Sequence, residues 1–245
     1  MEYAPPCRNL FLRKIHNLNH LLNRTSSDIR ETLNTRIFPP KNLKITLEPR
    51  KSIARGSYSP KRKLITLYND DWCRKTLIHE TLHAISAFSQ IPKLYNIYDH
   101  ERDFVEGLTE FLTGYVLFKK HKNCYEEWIE GRYPVCSISY ENFVRLFGAV
   151  AQILIPISDL VKLYVYNPNV DWYAEYRRFL NNHNLEDFLL RRPANKRIVT
   201  SHTLFKHAIE TAIRKKLGEE TLNEFRDLLY EAPLSEVLNY SYMLK

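Results

Sequence analysis

Residues 79 to 83 read His79-Glu80-Thr81-Leu82-His83. Two imidazoles four positions apart project from one face of a helix, one turn from each other, and at that spacing both can ligate a single zinc ion. Glu80 sits beside the first of them. It is too close in sequence to make an ideal third ligand but is well placed to take a proton from a metal-bound water. The chemistry on offer is metal-assisted hydrolysis. The plainer reading is a helix with one solvated and one core histidine, and further donors must converge on the pair to decide against it.

Catalytic zinc usually takes three side chains and leaves one position for water. Downstream lies Asp103-Phe104-Val105-Glu106-Gly107-Leu108-Thr109-Glu110-Phe111-Leu112-Thr113. Val105, Leu108, Leu112 and Val116 recur at helical spacing, which places Glu106, Glu110 and Thr113 on the other face of a second amphipathic helix. The chain between His83 and Glu106 is long enough to leave one helix, turn through Gln90-Ile91-Pro92 and return alongside it. Gly107 in a helix interior costs about 1 kcal/mol relative to alanine, which points to close approach of another element. Glutamates on a helix face ordinarily just solvate it; here they compete for a vacant coordination position.

These residues need elements to hold them. Leu43-Lys44-Ile45-Thr46-Leu47 and Leu64-Ile65-Thr66-Leu67-Tyr68 have the β-branched and apolar content of strands, joined through Ala54–Tyr58 and Ser59-Pro60-Lys61-Arg62. Asn69 or Asp70 can cap a helix that runs from about Asp71 to Phe88. On it Ile78, Leu82 and Ile85 form an apolar stripe, widened by Leu77, Ala84 and Phe88, with both histidines at its rim. The first 35 residues read as one or two helices. Beyond Glu110 the chain reads as helical throughout, in blocks at Tyr140–Ile155, Ile157–Tyr166, Trp172–Asn181, Leu185–Leu190, His202–Leu217 and Glu219–Tyr230. The expected class is α+β: a lobe with a small sheet over residues 1–125 and a mainly helical lobe over 126–245.

At this point the chain resembles the gluzincin branch of the zincin metallopeptidases. That group joins H-E-x-x-H on one helix to a glutamate ligand on a following helix, within a glutamate, two residues, a small residue, then an acidic or amide residue. Glu106-Gly107-Leu108-Thr109-Glu110 fits that form, and the motif-bearing likeness covers about residues 40–118. The resemblance implies zinc held by His79, His83 and Glu106, Glu80 as general base, and Glu110 as an acceptor that orients a zinc histidine. The reverse assignment, Glu110 on zinc, stays open. The resemblance further implies a zincin-like N-terminal lobe in which an edge strand pairs with extended peptide substrate. It also implies an oxyanion donor from the C-terminal lobe, for which Tyr164, Tyr166, Tyr173 and His202 are the candidates.

Composition bounds the rest. With 245 residues, 44% hydrophobic and 26% charged, the chain can bury a core and matches ordinary globular proteins. The start Met1-Glu2-Tyr3-Ala4-Pro5-Pro6 lacks the basic and apolar run of a signal peptide. The apolar stretch from Phe147 to Tyr166 is interrupted by Gln152, Pro156, Ser158, Asp159 and Lys162, which reads as buried helices bent at Pro156 rather than as a membrane span. A cytoplasmic protein is the expectation. The four cysteines, Cys7, Cys73, Cys124 and Cys136, show no second zinc signature, and independent thiols are expected over a Cys124–Cys136 bridge. A formal net charge of +8 favours anionic partners. The basic clusters at Lys61-Arg62-Lys63, Arg191-Arg192 with Lys196-Arg197, and Arg214-Lys215-Lys216 are short and scattered, so nucleic-acid association is expected to be weak. The rival to a peptidase is a zincin-shaped regulatory or nucleic-acid-associated protein, and the intact Glu80 argues against it, because a purely structural site has no need of a base.

Overall fold

The computed structural model of the chain describes residues 18–37, 39–49, 55–68, 73–90, 102–131, 140–165, 167, 169, 171–185 and 201–244. The fold is α+β, with three short strands and helices over most of the remaining described residues. Two compact units divide it. One comprises Met1–Tyr95 with Leu112–Ser139, the other Asn96–Phe111 with Tyr140–Lys245.

The first unit opens with helix α1 (Leu18–Leu33), followed by strands β1 (Lys44–Glu48), β2 (Gly56–Ser59) and β3 (Leu64–Tyr68), then helices α2 (Arg74–Ile85) and α3 (Ala87–Gln90). The sheet order is β1-β3-β2, with β1 parallel and β2 antiparallel to the central β3. Because side chains alternate along a strand, pairing fixes which residues share a face. Ile45, Ile65 and Tyr58 form one cross-strand row and Leu47, Leu67 and Gly56 the next. The large members of both rows pack with Leu21, Leu22 and Leu77 of the two helices into one apolar cluster. Lys63 turns the chain from β2 into β3 in the left-handed region, φ 49°, and donates its N–H to Pro60 O at 3.3 Å.

Helix α2 begins after Cys73, whose extended backbone (φ −132°, ψ 175°) sets the N-cap. The caps expected at Asn69 or Asp70 lie outside the described residues. The helix is also shorter at its far end than the apolar stripe suggests. Ser86 leaves helical conformation at φ −70°, ψ 137°, and its Oγ accepts the N–H of Phe88 at 3.2 Å, so α3 starts as a separate turn. A serine hydroxyl competes with the helix for nearby backbone groups, which is the local reason for the break. Nor is α2 half-exposed: Leu77, Ile78, Leu82, Ala84 and Ile85 are buried, as are Lys75, Thr76, Glu80, Thr81 and His83.

Helix α4 (Arg102–Lys120) passes from one unit into the other, and α5 (Lys122–Ile129) follows it. The single boundary expected after residue 125 therefore falls inside α5. At the junction of α4 and α5, His121 meets Asp28 of α1 at 3.0 Å, and Lys120 donates to Glu31 Oε2 at 2.7 Å. Burial pushes the His121 imidazole below its ordinary pKa, helped by the charge of Arg74 and opposed by Asp28.

The second unit contains the first turns of α4 and helices α6 (Glu141–Ile153), α7 (Ile157–Tyr164), α8 (Trp172–Asn182), α9 (Ser201–Lys216), α10 (Glu219–Tyr230) and α11 (Leu234–Met243). Pro156 separates α6 from α7 as the N-cap of the latter. The centre is aromatic: Phe104 meets Phe147 at 5.4 Å and Phe205 at 5.0 Å between ring centroids, edge to face. Tyr242 donates its hydroxyl hydrogen to Phe111 O at 2.7 Å, fixing α11 against α4. Among the described residues no helix is long and apolar enough to cross a membrane.

Gly107 explains itself here. A Cβ at that position would lie 2.2 Å from Phe143 Cβ and 2.8 Å from its Cγ, so α4 and α6 touch backbone against side-chain root. Neither atom is the free end of a flexible chain. Gly107→Ala is expected to destabilise the protein by about 1–3 kcal/mol in chemical unfolding, the overpacking cost outweighing the better helix propensity of alanine. An unchanged or raised unfolding midpoint would show that the two helices do not approach this closely.

Candidate metal centre

The first donors come from α2. The buried ladder of that helix presents His79 and His83 from successive turns, with Nε2 atoms 3.2 Å apart and rings edge to face, centroids at 4.8 Å. His79 is half-buried and His83 is buried. Two imidazoles on zinc, each at about 2.0–2.1 Å and near the tetrahedral angle, place their nitrogens about 3.3 Å apart. The observed separation suits a shared cation.

The third donor comes from the second turn of α4. Ligand atoms of His79, His83 and Glu106 all lie within 4.8 Å of one another. Among the described residues this is the only trio of histidine, cysteine or acidic side chains gathered closely enough to hold a metal. Glu106, 8% exposed, thus joins the histidines; Glu110, fully buried one turn further along α4, is not part of the trio. Glu80 is 7% exposed, so the carboxylate next in sequence to His79 is itself withdrawn from solvent.

The other candidates lie outside this trio or outside the described residues. Tyr164 is fully buried, and its hydroxyl lies 2.8 Å from Thr109 Oγ1. Thr109 donates its own hydrogen to Val105 O at 2.7 Å, so the tyrosine is the donor in that pair and ties α7 to the turn of α4 after Glu106. His202 is half-buried, its ring set edge-on to Phe143 at 5.1 Å, and burial holds its imidazole below the ordinary pKa. Tyr166 and the side chain of Tyr173 lie outside the described residues, as do Cys136 and the basic residues at 191–197. Cys124 is buried in α5. Of the basic clusters that are described, Lys61, Arg62 and Lys63 are exposed on the β2–β3 turn, and Arg214 at the end of α9 pairs with Glu219 at 2.9 Å.

One residue at this centre escapes sequence reasoning. Gly56, at the start of β2, abuts Thr76 and Glu80 of α2. The sequence offered only a glycine within a stretch read as a connection between strands, and a glycine can mark close approach of another backbone or side chain. Without a register, though, nothing said which element approached. Against models of known protein families, curated proteins and solved structures, the chain gives no match that would stand beside this geometry.

Proposed function

We propose that this chain is a zinc-dependent metallopeptidase of the gluzincin type, with a zincin-like arrangement of its sheet, α2 and α4. The observation that carries the reading is the His79–His83–Glu106 trio, with Nε2 atoms at 3.2 Å and all ligand atoms within 4.8 Å. Two imidazoles and one carboxylate are a donor set that suits zinc and leaves a coordination position for water.

His79 and His83 would hold the ion through Nε2, and Glu106 through a carboxylate oxygen. Zinc bound there would lower the pKa of a coordinated water and polarise the scissile carbonyl. Glu80 accepts the proton of the attacking water on a carboxylate oxygen and then delivers it to the leaving amine nitrogen. Its burial keeps bulk water from competing for that proton and strengthens its interactions with nearby charge. Glu110 serves as acceptor for the outward N–H of a ligating imidazole, fixing tautomer and ring orientation. β2, at the edge of the described sheet, receives the substrate as an added extended strand, so main-chain pairing rather than side-chain identity holds it.

Metal removal tests the reading. Treating the purified protein with a zinc chelator is expected to abolish hydrolysis of an unstructured protein substrate such as casein, and restoring one equivalent of zinc is expected to return it. Hydrolysis that survives complete removal of metal would rule the mechanism out.

A further inference from the structure

Glycine stands on β2 where the sheet's helix-facing pattern calls for a large apolar side chain. The row before it reads Ile45, Ile65, Tyr58; the row containing it reads Leu47, Leu67, Gly56. Every other member of these two rows belongs to the cluster packed on α1 and α2. What fills the place of the missing side chain is known. A Cβ on Gly56 would lie 2.8 Å from Thr76 Cγ2, 3.0 Å from Glu80 Cγ and 3.2 Å from Glu80 Oε1. Thr76 and Glu80 are one turn apart on α2 and both are buried.

Conformational freedom is not the reason for the glycine. Its backbone lies outside the left-handed region that would exclude other residues, so alanine could adopt the same φ. Space is the reason. An added methyl would crowd Thr76 Cγ2 first and the Glu80 side chain next, so Thr76 has to shift and Glu80 has to give by a few tenths of an ångström, unless β2 itself moves away from α2.

We propose that Gly56 is a positioning residue: the absence of its side chain sets the distance between the Glu80 carboxylate and edge strand β2. The inference rests on the metallopeptidase reading, in which the strand places the peptide and Glu80 moves the proton. If β2 carries the substrate, the offset between strand and carboxylate fixes where the attacked carbonyl falls relative to the base. Such reactions tolerate little error in that offset, because a misplacement of about 1 Å can cost about a hundredfold in rate. The side chain that would ordinarily strengthen the sheet is omitted where it would disturb the base.

The two contacts of the added methyl can be separated. Thr76→Ser removes Cγ2, the nearest obstacle, and leaves Glu80 untouched; on its own it is expected to leave activity unchanged. Gly56→Ala is expected to lower the melting temperature of the metal-free protein and to lower kcat by about 10- to 100-fold, with KM changed less than about twofold. Combining Gly56→Ala with Thr76→Ser should restore the melting temperature but not kcat, because the contact with Glu80 persists. Zinc affinity should match the wild type in all three variants, since the atoms nearest the added methyl belong to Thr76 and Glu80 and not to a candidate ligand. A double variant with wild-type kcat overturns the inference, as does a Gly56→Ala protein whose loss lies wholly in KM or in zinc affinity. A wild-type protein that binds zinc but hydrolyses no peptide overturns the reading beneath it, and the two failures are distinct.

Discussion

Replacing Glu80 with glutamine is expected to lower kcat for peptide hydrolysis by about 10²- to 10⁴-fold while leaving one zinc bound per chain. Glutamine keeps the size and hydrogen-bonding oxygen of the side chain but cannot accept a proton from water and return it to an amine. The substitution therefore removes the proposed base and leaves the candidate ligands His79, His83 and Glu106 in place. Folding should be little affected, since Glu80 is buried against Gly56 and glutamine fills the same space. Parallel measurement of turnover and of bound zinc checks it. Activity equal to wild type would assign the buried carboxylate a structural role and remove it from the chemistry.

The second large effect is expected at His83. His83→Ala deletes one of the two imidazoles whose nitrogens lie 3.2 Å apart, leaving a half-exposed histidine and a carboxylate. Two donors hold zinc far less well than three, so the variant should lose both metal and turnover. It should also lose the stability that zinc confers on the folded state, about 4 kcal/mol when free zinc is a thousandfold above Kd. Added zinc should raise the melting temperature of the wild type and not that of the variant. Glu110→Gln offers a graded comparison, with zinc affinity expected to fall by about 10- to 100-fold, the usual effect of weakening a group that orients a ligand. If Glu110→Gln lost zinc completely while Glu106→Gln kept it, the roles of the two glutamates would be exchanged.

The histidine–glutamate cluster was legible in the sequence because its signals are local. Spacing within a helix fixes which side chains share a face, so His79 and His83 could be paired from sequence alone. Periodicity placed Glu106 and Glu110 on one face of α4 but could not say which of them meets the histidines. The structure gathers Glu106 with them. That distinction depends on how the two helices pack, which no local pattern encodes. Gly107 fell between these cases: its cost in a helix announced a close neighbour, and the neighbour proved to be Phe143.

Several features were hidden for physical reasons. β2 is four residues long and reads Gly-Ser-Tyr-Ser, with too few apolar positions to show a strand's alternation. It exists because β3 offers it a partner, and register, not propensity, decides what faces α2. The end of α2 was set too late because the apolar stripe continues into α3 across Ser86, where a single hydroxyl breaks the helix. Helices α5 and α11 fall outside the helical blocks read from periodicity, although the chain beyond Glu110 reads as helical throughout. Trp128 on α5 and Tyr242 on α11 are fully buried, and burial against neighbours stabilises short segments whose own sequence carries little helical signal. The division into units was also out of reach, because α4 is one uninterrupted helix whose halves belong to different compact units.

Zinc K-edge X-ray absorption of the purified, zinc-loaded protein addresses the coordination geometry most directly. The account predicts a first shell of nitrogen and oxygen only, at about 2.0–2.1 Å, with the outer-shell scattering of two imidazoles and no sulfur. Sulfur at about 2.3 Å, or a spectrum without imidazole scattering, would place the ion elsewhere and contradict the proposed centre at His79, His83 and Glu106.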